Sequence, residues 1–500
     1  MITPSNNLTY TSLDATPHFM VEPFTPPVPL LLCLVAAAVV VVASFILLAF
    51  FARNSQVYFD YPRVNLLQWN IVKRFNRSGA ILLVQIISVF LFVMVVVTGF
   101  FGNSDPIYNL APTFVWVIWW VGVAYASAFL GNVWSLLNPW KIIFGWVEQL
   151  WLLLHSGRTF CPILQYPTKI GVWPALFLFL VFAWIENVYV GAVIPSRISQ
   201  MILLYSVITW AGMFLYGKDV WLRYGEAFSL AFGFLARFAP IQARLGRNFY
   251  DDTVTKSKNV HSSACETESR CSDESHSPLK EVYLQPFASG LLDIEKVSVS
   301  QTLFVLLLLA TVTFDGFTST LPWMNIQNYI IEYVPNVMLI STLGLVSSVL
   351  IFVGVYFCFA ALMRISSGSA LGTLELAKTF VYTLIPIALA YHVAHFLLFL
   401  LIQGQMIIPL ASDPFGFDWD LFGTTNYRVN FMLVSQNFFW VTSVLSILLG
   451  HIIAVFLSHI IALRVIKSHR HAIRSQYPML ALMVGYTVAS LWIITQPMYA

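Results

Sequence analysis

The sequence predicts an all-α, polytopic membrane protein of about ten transmembrane helices with both termini outside and further helices lying in the interface. Three observations carry this. Hydrophobic residues make up 58% of the chain, aromatic residues 16% and charged residues only 10%, against roughly 25% charged in a typical soluble domain. Apolar runs near the ~20 residues that cross a bilayer recur along the whole chain. Lys and Arg fall almost entirely in alternate connections. The formal net charge of +3 says little, because the placement of the basic residues relative to the spans is what matters. The five cysteines, 33, 161, 265, 271 and 358, include no CxxC pair, so neither a disulfide framework nor a zinc ribbon is indicated. Nothing points to nucleic acid. The expected partner is the lipid bilayer.

Residues 1–27 contain no Lys or Arg and so lack the basic start of a cleaved signal peptide; the first apolar run is expected to be retained. Spans are predicted near 28–52, 79–101, 112–130, 172–194, 199–216, 299–317, 336–362, 379–403, 437–464 and 476–495. Segments 53–78, 131–171, 217–298, 363–378 and 465–475 hold nearly all the basic residues, and the alternate segments only Arg197 and Arg428, which places the basic loops inside. Two stretches, 140–157 and 219–240, mix Trp, Phe and Leu with charges at helical spacing and are expected along the cytoplasmic surface. Residues 248–282 turn polar and Ser-rich, with too little apolar area to offset ordering entropy, and divide the membrane part into halves 28–247 and 283–500. His261, Cys265, Cys271 and His276 lie in that loop, at spacings that match no common zinc finger. Five spans on each side would put the halves in opposite orientations, as in inverted-repeat transporters.

Four histidines, His392, His395, His451 and His459, sit inside the last apolar runs. Hydrocarbon does not solvate an imidazole, so such residues face a protein interior and need partners. Counting residues to each span centre puts His392 and His451 at one depth, His395 about 4.5 Å further out, and His459 about 12 Å deeper than His451. Glu186 and Asp315 fall in the outer half with His395, about 4.5 and 10 Å from their span centres. The economical assembly is a site with His392, His395 and His451 as metal ligands and Glu186 or Asp315 as ligand or general base. Its mixed nitrogen and oxygen donors suit Zn, Fe, Mn or Co. The alternative is a polar network without metal, and for His459 a hydrogen bond across helices.

Pro386 predicts a break one to two turns before His392, and Gly450 a close approach beside His451. Asn138-Pro139 marks either a cavity lining or the turn into an interfacial helix. Residues 404–430, rich in Gly, Pro and Asp, form an ordered outer lid in which Asp413, Asp418 and Asp420 make turns or hold a hard cation. His469 and His471 belong to a basic loop facing anionic lipid.

Segments 131–140 (GNVWSLLNPW), 314–317 (FDGF), 391–405 (YHVAHFLLFLLIQGQ), 411–424 (ASDPFGFDWDLFGT), 450–459 (GHIIAVFLSH) and 475–487 (SQYPMLALMVGYT) together resemble the bacterial multi-spanning proteins called fenitrothion hydrolases. The likeness runs from about residue 110 onward and is densest between 380 and 490. It implies a bacterial inner-membrane protein that hydrolyses a lipophilic phosphorothioate triester, and it supplies no catalytic residues. A metal-activated water would suit that chemistry, and a lipophilic small-molecule substrate would concentrate in the bilayer. Two other functions fit the same residues: a transporter in which the histidines relay protons or bind an ion near the midplane, and a haem or copper redox protein. No repeated histidine pair at bis-histidine haem spacing is present on two helices.

Overall fold

The computed structural model describes residues 29–51, 64–66, 69, 79–244, 281–293, 297–368, 370–466 and 468–496. The expectations for 1–27 and for most of the polar loop lie outside the described residues. The architecture is all-α, and among the described residues nine helices are long and apolar enough to cross a membrane. They are α1 (Leu30–Phe51), α2 (Ala80–Phe101), α3 (Leu110–Phe129), α6 (Pro195–Tyr216), α9 (Val299–Thr318), α11 (Val337–Ser367), the broken segment Thr373–Ser412, α15 (Gln436–Val465) and α16 (His469–Ile494). The chain is therefore a multi-pass integral membrane protein.

The tenth expected span, 172–194, is a 15-residue helix, α5 (Trp173–Asn187), followed by a 3-10 turn at Val190–Val193. At 1.5 Å per residue it reaches about 22 Å, short of a ~30 Å hydrocarbon core. The Asn187 side chain donates to the carbonyl of Ala183 at 2.9 Å, the local competition by which Asn ends helices. α5 nevertheless follows α9 in parallel from end to end. The backbone N–H of Val172 donates to Ser300 Oγ at 3.0 Å, Phe179 and Phe304 meet at 5.1 Å between ring centroids, and Val188 packs with Phe314. A Ser298–Gln301 capping box sets the start of α9.

Of the two stretches expected at the interface, one fits. Asn138 caps α4 (Pro139–Leu154) by accepting from Lys141 N, with Pro139 in the first turn. Leu150, Leu153 and Leu154 on α4 are exposed, while Trp140 and Phe144 are buried. The other stretch divides into α7 (Lys218–Tyr224) and α8 (Ala227–Ala236), and α8 is a correction. It is buried on nearly every side, packed against α3 and α5. The charges that suggested a surface helix, Asp219, Arg223, Glu226 and Arg237, all lie outside it.

A small antiparallel sheet was not expected. β1 (Val64–Asn65), β2 (Ile241–Arg244) and β3 (Glu281–Leu284) pair in the order β1-β3-β2, with Val64 opposite Leu284 and Gln242 opposite Tyr283. It ties the first basic connection to the chain on both sides of the polar loop, and Glu281 and Val282, expected in that loop, are strand residues. Strands of two to four residues are too short to show the period-2 pattern that signals a strand.

Beyond α10 (Leu321–Ile331) and α11, the chain forms α12 (Thr373–Phe380), one 3-10 turn at Val381–Leu384, α13 (Ile385–Gln403) and α14 (Ile407–Ser412). Pro386 stands in the first turn of α13, where its missing N–H costs nothing; the break lies ahead of it. Gly450 does mark a close approach, since a Cβ there would stand 2.4 Å from Ala390 Cβ and 2.7 Å from Pro386 O. One core joins both halves, running through Trp120, Phe179, Phe232, Phe304, Tyr391 and Ile447.

Candidate functional site

Asp315 on α9 and His395 on α13 are buried together, with His395 Nε2 and Asp315 Oδ2 2.9 Å apart. A carboxylate bonded to an imidazole fixes its tautomer and orientation. Glu186, near the end of α5, accepts a 2.5 Å hydrogen bond from Trp120 Nε1 on α3 and lies within electrostatic reach of Asp315. His392, one turn before His395, is ringed by Tyr125, Trp120 and Phe396 at centroid distances of 5.4, 6.1 and 4.7 Å. Neither of its ring nitrogens has a hydrogen-bond partner among the described residues. The Tyr125 hydroxyl donates instead to the His392 carbonyl, at 3.1 Å.

His451 is held differently. Its Nδ1 donates to Ile447 O at 2.8 Å, which leaves Nε2 as an acceptor with no partner among the described residues, and its ring lies 5.8 Å from that of Tyr486 on α16. The α13–α15 register explains the separation from His392. Ser443 Oγ donates to Ala394 O at 3.1 Å and Gly450 meets Pro386 and Ala390. His451 is thereby level with the start of α13, roughly five residues or about 8 Å from His392. The equal depth expected for the two fails because the packing register of α13 on α15, and not the midpoint of each apolar run, sets their relative height. Among the described residues no group of three or more His, Cys, Asp or Glu side chains is close enough to hold a metal. The structure thus joins His395, Asp315 and, at longer range, His392 and Glu186, and does not gather His392, His395 and His451 into one ligand set. His459 is separate, as expected, with Nδ1 3.0 Å from Gln476 Oε1.

The backbone is irregular on the helices around this cluster. Thr113–Gly122 of α3, which carries Trp116 and Trp120, is wound as a π-helix, a rare form whose short bulges are frequent at functional sites. α13 is preceded by the 3-10 turn, and α5 stops one residue after Glu186.

The outer lid is ordered by turns. Asn103 N donates to Phe415 O at 2.7 Å and Leu110 N to Pro414 O at 3.2 Å. Asp413 Oδ1 accepts from Phe417 N at 3.0 Å, and Asp418 takes a left-handed φ of 63°. Hydrogen bonds from Thr425 hold the Asp420 carboxyl below its usual range. Gln405 clasps the far end, with its Oε1 accepting from Tyr427 Oη at 2.8 Å and Asn430 N at 3.0 Å. His469 and His471 are exposed at the start of α16.

Sequence reasoning missed Glu226. Fully buried at the start of α8, it accepts from Phe228 N at 2.9 Å, Ser229 N at 2.7 Å and Tyr205 Oη at 2.5 Å. Asn138 Nδ2 at 3.3 Å, Trp134 Nε1 at 3.5 Å and Ser229 Oγ complete the set. The signal was the GNVWSLLNPW segment itself, whose Trp134 and Asn138 are two of the donors. No family profile, characterised protein or solved structure matches the chain.

Proposed function

We propose that this integral membrane protein is a proton-coupled transporter of an ion or small solute, with the Asp315–His395 pair as its proton-binding centre and Glu186 as a second carboxylate. The observation that carries the reading is a buried His395–Asp315 hydrogen bond of 2.9 Å in a bundle where α3 is π-wound through Trp120 and α5 ends one residue after Glu186. Ionisable groups inside a membrane bundle mark ion and proton pathways, and discontinuous helices expose backbone groups to cargo. His392 is the ring best placed to meet a cargo donor, and Trp120 holds Glu186 toward the same region. The basic loops are assigned to the cytoplasm. With Cys161 as the single cysteine, intact cells should resist an impermeant thiol reagent. A single cysteine at Gly423, in the lid, should react. The reverse pattern would invert the orientation.

The direct test uses purified full-length protein in liposomes carrying a trapped pH dye, driven by a potassium diffusion potential. Proton movement that disappears in Asp315→Asn supports the reading; equal movement in wild type and variant refutes it.

Hydrolysis of a lipophilic organophosphate triester is the second reading. It is favoured by the base-and-orienter geometry of His395 and Asp315, which would activate a water, and by the resemblance to fenitrothion hydrolases. Membranes that release nitrophenol from fenitrothion, with loss in His395→Gln, would put it first. A divalent metal, Zn, Mn, Fe or Co, in the purified protein that is lost in the same variant would restore a metal centre built on His395.

A further inference from the structure

The lid between α14 and α15 turns its rings outward at one end. Phe415, Phe417 and Trp419 cluster at this tip, with ring centroids 5.4 Å from Phe415 to each of the other two and 5.9 Å between Phe417 and Trp419; the left-handed φ of 63° at Asp418 folds the chain between them. Phe417, Trp419, Leu421 and Phe422 are all exposed, Phe422 at 72%. Two carboxylates turn back onto the loop, Asp413 accepting from Phe417 N at 3.0 Å and Asp420 from Thr425 N at 3.2 Å. The tip is fastened to the end of α2, where Asn103 N donates to Phe415 O at 2.7 Å and a Cβ on Gly416 would stand 2.5 Å from Tyr108 O. α2 has 22 residues and rises about 33 Å, enough to cross a hydrocarbon core of about 30 Å, and its last residues, Phe100 and Phe101, are exposed. One bonded contact beyond them, the tip stands at the boundary of that core, and its exposed rings continue the lipid-facing surface of α2.

We propose that the lid tip is a lipid-binding surface, with Phe417, Trp419, Leu421 and Phe422 seated between the headgroups and the acyl chains of the leaflet on the lid side. Trp is enriched at that depth because its ring is apolar and its N–H polar. In water, four large apolar side chains within six residues would form an uncovered patch. The other end of the lid is held by protein, through Gln405 to Tyr427 and Asn430, so the lid is fixed to the bundle at one end and to the bilayer at the other. It departs from Gln403, the last residue of α13, eight residues or about 12 Å past His395. Lipid at the tip therefore holds in place the segment that follows the helix bearing His395. The inference is the same for either orientation of the bundle and does not depend on what the Asp315–His395 pair does.

The test reads depth with spin labels on the full-length chain in liposomes of phosphatidylcholine and phosphatidylglycerol. In a chain whose five cysteines are replaced by serine or alanine, a single cysteine is introduced as Phe417→Cys or Phe422→Cys, with Phe101→Cys as the lipid reference and Asn426→Cys as the water reference. Each nitroxide is exposed in turn to oxygen, which concentrates in lipid, and to a nickel chelate, which stays in water. The oxygen-to-nickel accessibility ratio at Phe417 and Phe422 should approach that at Phe101 and exceed that at Asn426 by about threefold or more, as expected for side chains buried 5–10 Å into the boundary. A ratio equal to that at Asn426 would leave the tip in water and overturn the proposal. Low accessibility to both reagents would put protein over the tip, a second copy or another chain, and overturn it as well. Both labelled side chains are exposed, so either variant with wild-type thermal stability decides the question. Should the cysteine replacements unfold the chain, the natural chain answers: the share of tryptophan fluorescence quenched by lipids brominated near the headgroup should fall in Trp419→Phe, and an unchanged share would overturn the proposal.

Discussion

Glu226 and Asp315 are both carboxylates buried in the same bundle, and their surroundings are opposite. Glu226 is surrounded by six donors from Trp134, Asn138, Tyr205, Phe228 and Ser229. Such a group is locked, because any movement leaves several buried donors unmatched. Asp315 is bonded to an imidazole, and His392 and Tyr391 on the same helix as that imidazole keep ring or hydroxyl atoms with no hydrogen bond among the described residues. Burial of an ionisable group is therefore no sign of function by itself. A saturated carboxylate pins α8 to the Asn138 turn and to α6, whereas a cluster with spare capacity can take up a proton or a cargo group.

The contrast is broken most directly by paired substitutions. Asp315→Asn removes the ionisable oxygen and keeps the shape, so liposome proton movement should fall by about 100-fold or more, the usual scale for losing an acid–base group. Its thermal stability in detergent should change by no more than about 1 kcal/mol. Glu226→Ala should do the reverse, costing on the order of 3 kcal/mol or more because several buried donors lose their acceptor together. Molecules of that variant that remain folded should keep the proton response of Asp315. If Glu226→Ala abolished proton movement at full stability, the two regions would exchange roles.

What the sequence made legible follows from the range of each signal. Long apolar runs revealed α1, α2, α6, α9, α11, α15 and α16 because spanning is a property of a contiguous segment. Counting along α9 and α13 also placed Asp315 and His395 in the same half, and they do meet. The β1-β3-β2 pairing, the six donors around Glu226 and the π-wound Thr113–Gly122 depend on partners distant in sequence or on helix pitch, and no local pattern reports them. α8 was misread for a related reason: its flanking charges sit at helical spacing, but Glu226 points into the core and caps the helix.

Gly450 offers a smaller effect. Gly450→Ala would place a methyl 2.4 Å from Ala390 Cβ, forcing α13 and α15 apart at a cost of about 1–3 kcal/mol. Ala390→Gly in the same chain should recover part of that cost, since it removes the nearest contact. Recovery of stability without recovery of proton movement would show that the start of α13 must keep its position for the site to work.

The smallest effect separates His459 from the other histidines. His459 Nδ1 and Gln476 Oε1 are 3.0 Å apart, and Gln476 Nε2 donates to Ala472 O at 2.8 Å. This is a cross-helix tie of the ordinary membrane kind. Such bonds average about 0.6 kcal/mol and reach about 1.7 kcal/mol, because the chain unfolded within a membrane also finds partners. A double-mutant cycle with His459→Phe and Gln476→Leu should therefore give a coupling of about that size in unfolding measurements. His459→Phe alone should leave liposome proton movement within about twofold of wild type, since His459 is bonded to Gln476 and not to the Asp315–His395 pair. A tenfold loss would withdraw His459 from the structural side of the comparison.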